Sequence, residues 1–274
     1  MNIITPQVID DMILQKRGIC MLEQFRKKLN FRDLGGYPTQ DGKKVKMNLF
    51  YRGGAPLYMN IKELEILRGL GLRTVLDLRT TQERLMKPDP FIPNVKVLEH
   101  SGTVSQGGEE IDFSLEGMSR IGEGGKQQLS MLEKYYARMP FNNQAFQVMF
   151  QEIMMNQVPM FIHCASGKDR TGVASMLILL ALGVDRDTVL QDYLLTNEYR
   201  QEQIQNKLSE DADIIKDYPE REILDRMLAG VSERIGNVVL DAIFNEYGSL
   251  DAYFENEFGL DENKRKELIN LYTE

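Results

Sequence analysis

Residues 158–182 read "VPMFI", then "HCASGKDRTG" (163–172), then "VASMLILLAL". The first piece is a short apolar run that suits a buried strand, with Pro159 at its start, where a sheet tolerates a missing N–H. The last piece is apolar on every side, so it predicts a central buried helix from residue 171 that stops at Gly183. A strand that feeds a buried helix through a tight loop is the unit of an α/β domain.

The loop itself carries the chemistry. Ala165, Ser166 and Gly167 are small enough for the backbone to curl, so that successive N–H groups converge on one anion. The helix that follows adds unpaired N–H donors and a partial positive charge at its N-terminus. Arg170 brings a planar fork suited to two phosphate oxygens, and Lys168 a second positive charge. The same features favour the thiolate form of a cysteine at position 164, the nucleophilic form of the side chain. Thr171 is placed to donate a hydrogen bond to the departing sulfur.

Cys164 and Arg170 are six positions apart, and so are Cys20 and Arg26 in "CMLEQFR". The second pair has bulky residues and no glycine between its ends, so Cys20 reads as a thiol on an amphipathic helix. The residues inside the spacing, rather than the spacing, carry the inference. An ATP-binding loop is excluded, because Ile162 stands where that motif needs glycine and Asp169 where it needs serine or threonine.

The 274 residues carry a formal net charge of -8, which argues against a nucleic-acid surface. No apolar run reaches membrane-spanning length, and the N-terminus lacks the basic head and clean apolar stretch of a signal peptide. The chain therefore reads as cytoplasmic, or secreted if a leader has been cleaved. Two cysteines and two histidines, His100 and His163, leave no clustered zinc spacing, and no metal or other cofactor is expected.

"NIKELEILRGLG" (60–71) predicts a helix, with Asn60 and Glu63 at capping-box spacing, Ile61, Leu64 and Leu67 on one face, and Gly71 at its end. "LRTVLDL" (72–78) predicts a buried strand and "NVKVLEH" (94–100) a weaker one. Residues 101–128 contain seven glycines and read as an irregular loop. With the helix near 129–139 it is either a lid, at about 101–140, or a plain insertion. Further helices are expected near 143–156, 185–197, 219–229, 232–247, 249–257 and 261–273, with Ser232, Ser249 and Asp261 as N-caps. The whole reads as a single α/β domain over 1–274 with a helical C-terminal part.

"HCASGKDRTG" resembles the signature loop of cysteine-dependent phosphatases, in particular bacterial tyrosine and phosphoinositide phosphatases whose loop reads His-Cys-x-x-Gly-Lys-Asp-Arg-Thr-Gly. "NFRDLGGY" (30–37), "LFYRGGA" (49–55), "RTVLDLR" (73–79), "LLALGV" with "DYLLTN" (179–197) and "YGSLDAYF" (247–254) resemble further segments of that family in the same order. The resemblance implies a protein-tyrosine-phosphatase-like fold with a central, mainly parallel sheet flanked by helices. It also implies a metal-free reaction in which Cys164 forms a phosphocysteine that water hydrolyses, with Arg170 and the loop amides of Ala165, Ser166, Gly167 and Lys168 holding the phosphate.

The chain has no tryptophan, so the separate acid loop of many tyrosine phosphatases is missing in its usual form. The resemblance assigns the general acid to Asp169. The alternative reading of Asp169 is a structural carboxylate paired with Lys168 or a nearby basic group. Lys168 in turn either suits substrates with more than one phosphate or holds Asp169. Arg32 and Asp33 either reach the site or pin the turn at Gly35 and Gly36, and Arg79 is open in the same way. His163 reads as a buried imidazole that orients the loop through a backbone hydrogen bond.

The expected substrates are a phosphorylated protein, a phosphoinositide or an inositol phosphate, with inorganic phosphate as product. An inositol-polyphosphate phosphatase, a rhodanese-like sulfurtransferase, an arsenate reductase and a catalytically dead phosphate-binding module are the competing readings.

Overall fold

The computed structural model describes residues 23–103, 125–218 and 220–274. Five strands, β1 (Arg32–Asp33), β2 (Phe50–Gly54), β3 (Thr74–Asp77), β4 (Lys96–Glu99) and β5 (Met160–Cys164), form one sheet in the order β1-β2-β5-β3-β4. β1 pairs antiparallel with β2, and every other pairing is parallel. The expected α/β architecture, mainly parallel and helical toward its C-terminus, is what the chain adopts.

The strand side chains alternate between two apolar layers. Phe50, Leu76, Met160 and Ile162 pack into the larger core, while Tyr51, Val75 and Phe161 face a smaller one built on Phe25, Leu29 and Leu67. Both faces of the sheet are therefore covered, as parallel sheets require. Helix Arg170–Ala181 lies in the larger core with all of its residues buried, and Gly183 follows its end at φ +84°. Its apolar circumference anticipated that position.

Helix Ile61–Gly69 carries the expected capping box between Asn60 and Glu63. Ile61, however, is 77% exposed, so its face is narrower than the sequence pattern suggests. Ser232, Ser249 and Asp261 cap helices Glu233–Tyr247, Leu250–Phe258 and Glu262–Tyr272 through their side chains. β2 was visible in the sequence only through family resemblance. Two of its five residues are glycines, and it becomes a strand by pairing with β5 along its length. Cys20 and most of the 101–128 loop, including residues 104–124, lie outside the described residues.

Candidate active site

The central strand β5 delivers His163 and Cys164 to the C-terminal edge of the parallel strands, where open α/β sheets bind their ligands. Cys164 is opposite Gly54 of β2 and is 1% exposed. From there the chain turns through residues 165–169 into helix Arg170–Ala181, so Cys164 and Arg170 bracket one loop. Gly167 stands at φ +68°, and a Cβ there would lie 2.3 Å from the carbonyl carbon of Gly53. The Gly53–Gly54 pair makes room for the loop to lie on β2, and the Ala55 N–H donates to the Ala165 carbonyl at 3.2 Å.

Beneath the loop a buried ionic network fixes its back. Asn30 Nδ2 and Arg52 Nη2 donate to the Gly167 carbonyl at 2.8 and 3.0 Å. Asp192 accepts from Arg52 Nη1 at 2.7 Å, Arg32 Nε at 2.8 Å and the Tyr37 hydroxyl at 2.9 Å. Burial pushes the Asp192 carboxyl up, but the charges of Arg32 and Arg52 outweigh it and hold the group at about 2. Burial also lowers Arg52, to about 10. Arg32 thus acts through Asp192. Asp33 pins its turn, accepting from the Gly35 and Asn48 N–H groups at 2.8 and 2.6 Å.

On the β3 side, Glu83 forms a two-pronged ion pair with Arg170, whose Nη1 also donates to the Leu78 carbonyl at 3.3 Å. Burial raises Glu83, but the Arg170 hydrogen bonds and charge prevail and hold it below its ordinary value. Burial opposes the charged form of Arg170, yet Glu83 and Cys164 together raise it. The Thr80–Glu83 capping box that starts helix Thr81–Met86 brings Glu83 to this place.

Lys168 Nζ contacts both carboxylate oxygens of Asp169, at 2.9 and 2.7 Å, and donates to the Met227 carbonyl at 3.3 Å. The buried hydroxyl of Tyr136, from helix Gly125–Arg138, donates to Asp169 Oδ1. Burial, and secondarily the Asp169 charge, raise the Tyr136 phenol well above its ordinary value, so it stays a donor. The Thr171 hydroxyl is buried without a hydrogen-bond partner among the described residues.

His163 is fully buried and stacks on Phe161, with ring centroids 5.3 Å apart. Its ring nitrogens make no hydrogen bond among the described residues, so the expected ring-to-backbone bond is not formed. They lie instead 3.8 Å from Asp77 and 3.4 Å from Asp89. Asp77, Asp89 and His163 could offer three metal ligands, but the Arg79 guanidinium donates to both carboxylates and supplies the positive charge there. Burial raises Asp77, and the His163 and Arg79 charges bring it down to about 2. Arg79 is thus a structural residue behind the loop, and its Nη1 donates to the Lys87 carbonyl at 2.8 Å.

A cavity of about 640 Å³ opens beside the loop, lined among others by Ser166, Lys168, Asp169 and Arg200. Sequence reasoning missed Asn30, Arg52, Glu83, Asp192 and Arg200. Only Glu83 left a local trace, its capping-box spacing after Thr80.

A buried thiol and an arginine thus bracket a glycine-turned loop between the central strand and a buried helix, an arrangement that could hold a phosphate. The chain matches the family described as "Tyrosine phosphatase family" over residues 24–274 and belongs to it. A protein of Cupriavidus necator, named as a tyrosine-protein phosphatase, is 31% identical over 62% of this chain. The chain spans 60% of that relative's length. The Mycobacterium tuberculosis protein named triple specificity protein phosphatase PtpB is 24% identical over 83% of this chain and 90% of its own. A crystal structure of P. aeruginosa TpbA with pTyr aligns with 73% of this chain and 89% of its own, at 15% identity and a TM-score of 0.31. Among the described residues, no helix is long and apolar enough to cross a membrane.

Proposed function

We propose that the chain hydrolyses phosphate monoesters, phosphotyrosine and phosphoinositides among them, through a phosphocysteine on Cys164. One observation carries the reading: Cys164 ends the central strand and the loop that follows closes on Arg170 at the N-terminus of a buried helix. Arg170 and the amides of residues 165–170 bind the three non-bridging oxygens. The Cys164 thiolate forms the S–P bond as the ester P–O bond breaks, and Asp169 gives its proton to the leaving oxygen. Water then attacks phosphorus, Asp169 takes the proton back, and inorganic phosphate departs as the thiolate re-forms. Thr171, whose hydroxyl is otherwise unengaged, donates to the sulfur as it leaves.

Tyr136 supports the assignment of Asp169 by aiming its carboxyl group at the loop's edge. The Lys168 ammonium on both of the Asp169 oxygens favours the charged form that re-accepts the proton from water in the second step. The breadth of substrate is supported by the likeness to a relative named for triple specificity. Release of phosphate from p-nitrophenyl phosphate, lost in Cys164→Ser, is the expected result, and turnover surviving that substitution would sink the mechanism. A panel of phosphopeptides, phosphoinositides and inositol phosphates then ranks the substrates.

A further inference from the structure

The wall of the cavity beside the catalytic loop includes a cation, Arg200, that forms no ion pair with a carboxylate among the described residues. Among the described residues, the four buried arginines each sit on at least one acid: Arg32 and Arg52 on Asp192, Arg79 on Asp77 and Asp89, Arg170 on Glu83. Arg200, where helix Arg186–Tyr199 meets helix Gln201–Glu210, is different. Its Nε donates to the Ala229 carbonyl at 2.7 Å, and its two terminal nitrogens hydrogen-bond to none of the described residues.

The negative charges Arg200 feels are those of Asp169 and Cys164, both in the catalytic loop. Asp169 is already engaged by Lys168 and Tyr136. Burial accordingly keeps the Arg200 guanidinium below its ordinary value. Lys168, the cation that the sequence offers for a second phosphate, has its ammonium turned to Asp169 and to the Met227 carbonyl. The cavity wall also includes Leu132, Leu228 and Ile235, an apolar setting that strengthens an ion pair formed within it.

We propose that Arg200 forms a second anion subsite beside the catalytic loop, which takes a second phosphate group on the small molecule whose first phosphate is cleaved. This rests on the phosphomonoesterase reading above. A guanidinium fork grips a phosphate through two parallel hydrogen bonds. At about 640 Å³ the cavity has the size of a small-molecule site, with room for a ring that carries two phosphates.

The test compares wild type, Arg200→Gln and Arg200→Lys on three substrates. These are p-nitrophenyl phosphate, a free inositol bisphosphate, and the same headgroup on a lipid in phosphatidylcholine vesicles. In Arg200→Gln, kcat/KM is expected to fall at least about 10-fold more on both bisphosphates than on p-nitrophenyl phosphate, through KM, with Arg200→Lys intermediate. Equal losses on one- and two-phosphate substrates overturn the subsite and leave the phosphomonoesterase reading standing. A loss confined to vesicles also overturns it, because Arg200 would then be acting on the membrane surface. Wild type that turns over none of the three sinks the underlying reading instead. If Arg200→Gln fails to fold, salt titration of wild type decides: KM for the free bisphosphate must rise more steeply than KM for p-nitrophenyl phosphate, and equal slopes overturn the proposal.

Discussion

Glu83 and Arg170 meet end to end, Nη1 with Oε2 at 2.6 Å and Nη2 with Oε1 at 2.8 Å, across 87 positions of sequence. A guanidinium gripped at two points has its plane set before substrate arrives. Glu83→Gln keeps the size and removes the charge that orients Arg170. With hydrogen bonds to charged groups worth about 1.5–3 kcal/mol, kcat/KM on p-nitrophenyl phosphate is expected to fall about 10- to 100-fold. An unchanged kcat/KM would show that Arg170 orients itself.

Tyr136 and Lys168 converge on Asp169. If Asp169 protonates the leaving oxygen, Asp169→Asn costs alkyl phosphates much more than p-nitrophenyl phosphate, whose leaving group needs no proton. The expected loss on an alkyl ester is about 100-fold or more. Tyr136→Phe is expected to show the same leaving-group dependence at smaller size. Uniform losses across leaving groups in both variants would assign the pair a purely structural role.

Asp192 is held at about 2 by two buried arginines, against an ordinary value of 3.8. A depressed carboxyl contributes its stability fully above the unfolded value and loses it as pH falls through the folded one. The native state is therefore expected to lose about 2–3 kcal/mol between roughly pH 4 and pH 2 from this group. Asp192→Asn leaves Arg32 and Arg52 without their counter-charge and is expected to cost about 3–5 kcal/mol at neutral pH. Urea unfolding at pH 7 and pH 3 measures both, and a variant with the acid sensitivity of wild type would contradict the assignment.

Gly167 lies in the left-handed region, and a Cβ there would run into the Gly53 carbonyl group. Gly167→Ala adds about 1–2 kcal/mol of backbone strain and a clash that only movement of the loop relieves. A loop displaced by an ångström misplaces the phosphate, so activity is expected to fall on the order of 100-fold, whereas the fold, followed by circular dichroism, is retained. Full activity in this variant would mean that the loop opens another path.

Local chemistry made much of this protein legible from its residues. The strand that ends in Cys164, the loop and the buried helix each follow from short-range rules: chain periodicity, small residues at a turn, an apolar circumference. The caps at Asn60, Ser232, Ser249 and Asp261 follow from side chains that accept from the backbone N–H three residues on. What surrounds the loop had no such signature. Glu83 reaches Arg170, Asp192 reaches Arg52 and Asn30 reaches Gly167 over separations of 87, 140 and 137 residues. An arginine in a sequence reads the same whether a carboxylate neutralises it or not. Only the packing of helices onto the sheet decides that Arg52 is answered by Asp192 while Arg200 faces the cavity. The sequence by itself determined the strand, loop and buried helix that carry Cys164 and Arg170, because each follows from short-range rules. The tertiary structure decided which of the surrounding charges are neutralised, because those partners lie far apart in the chain.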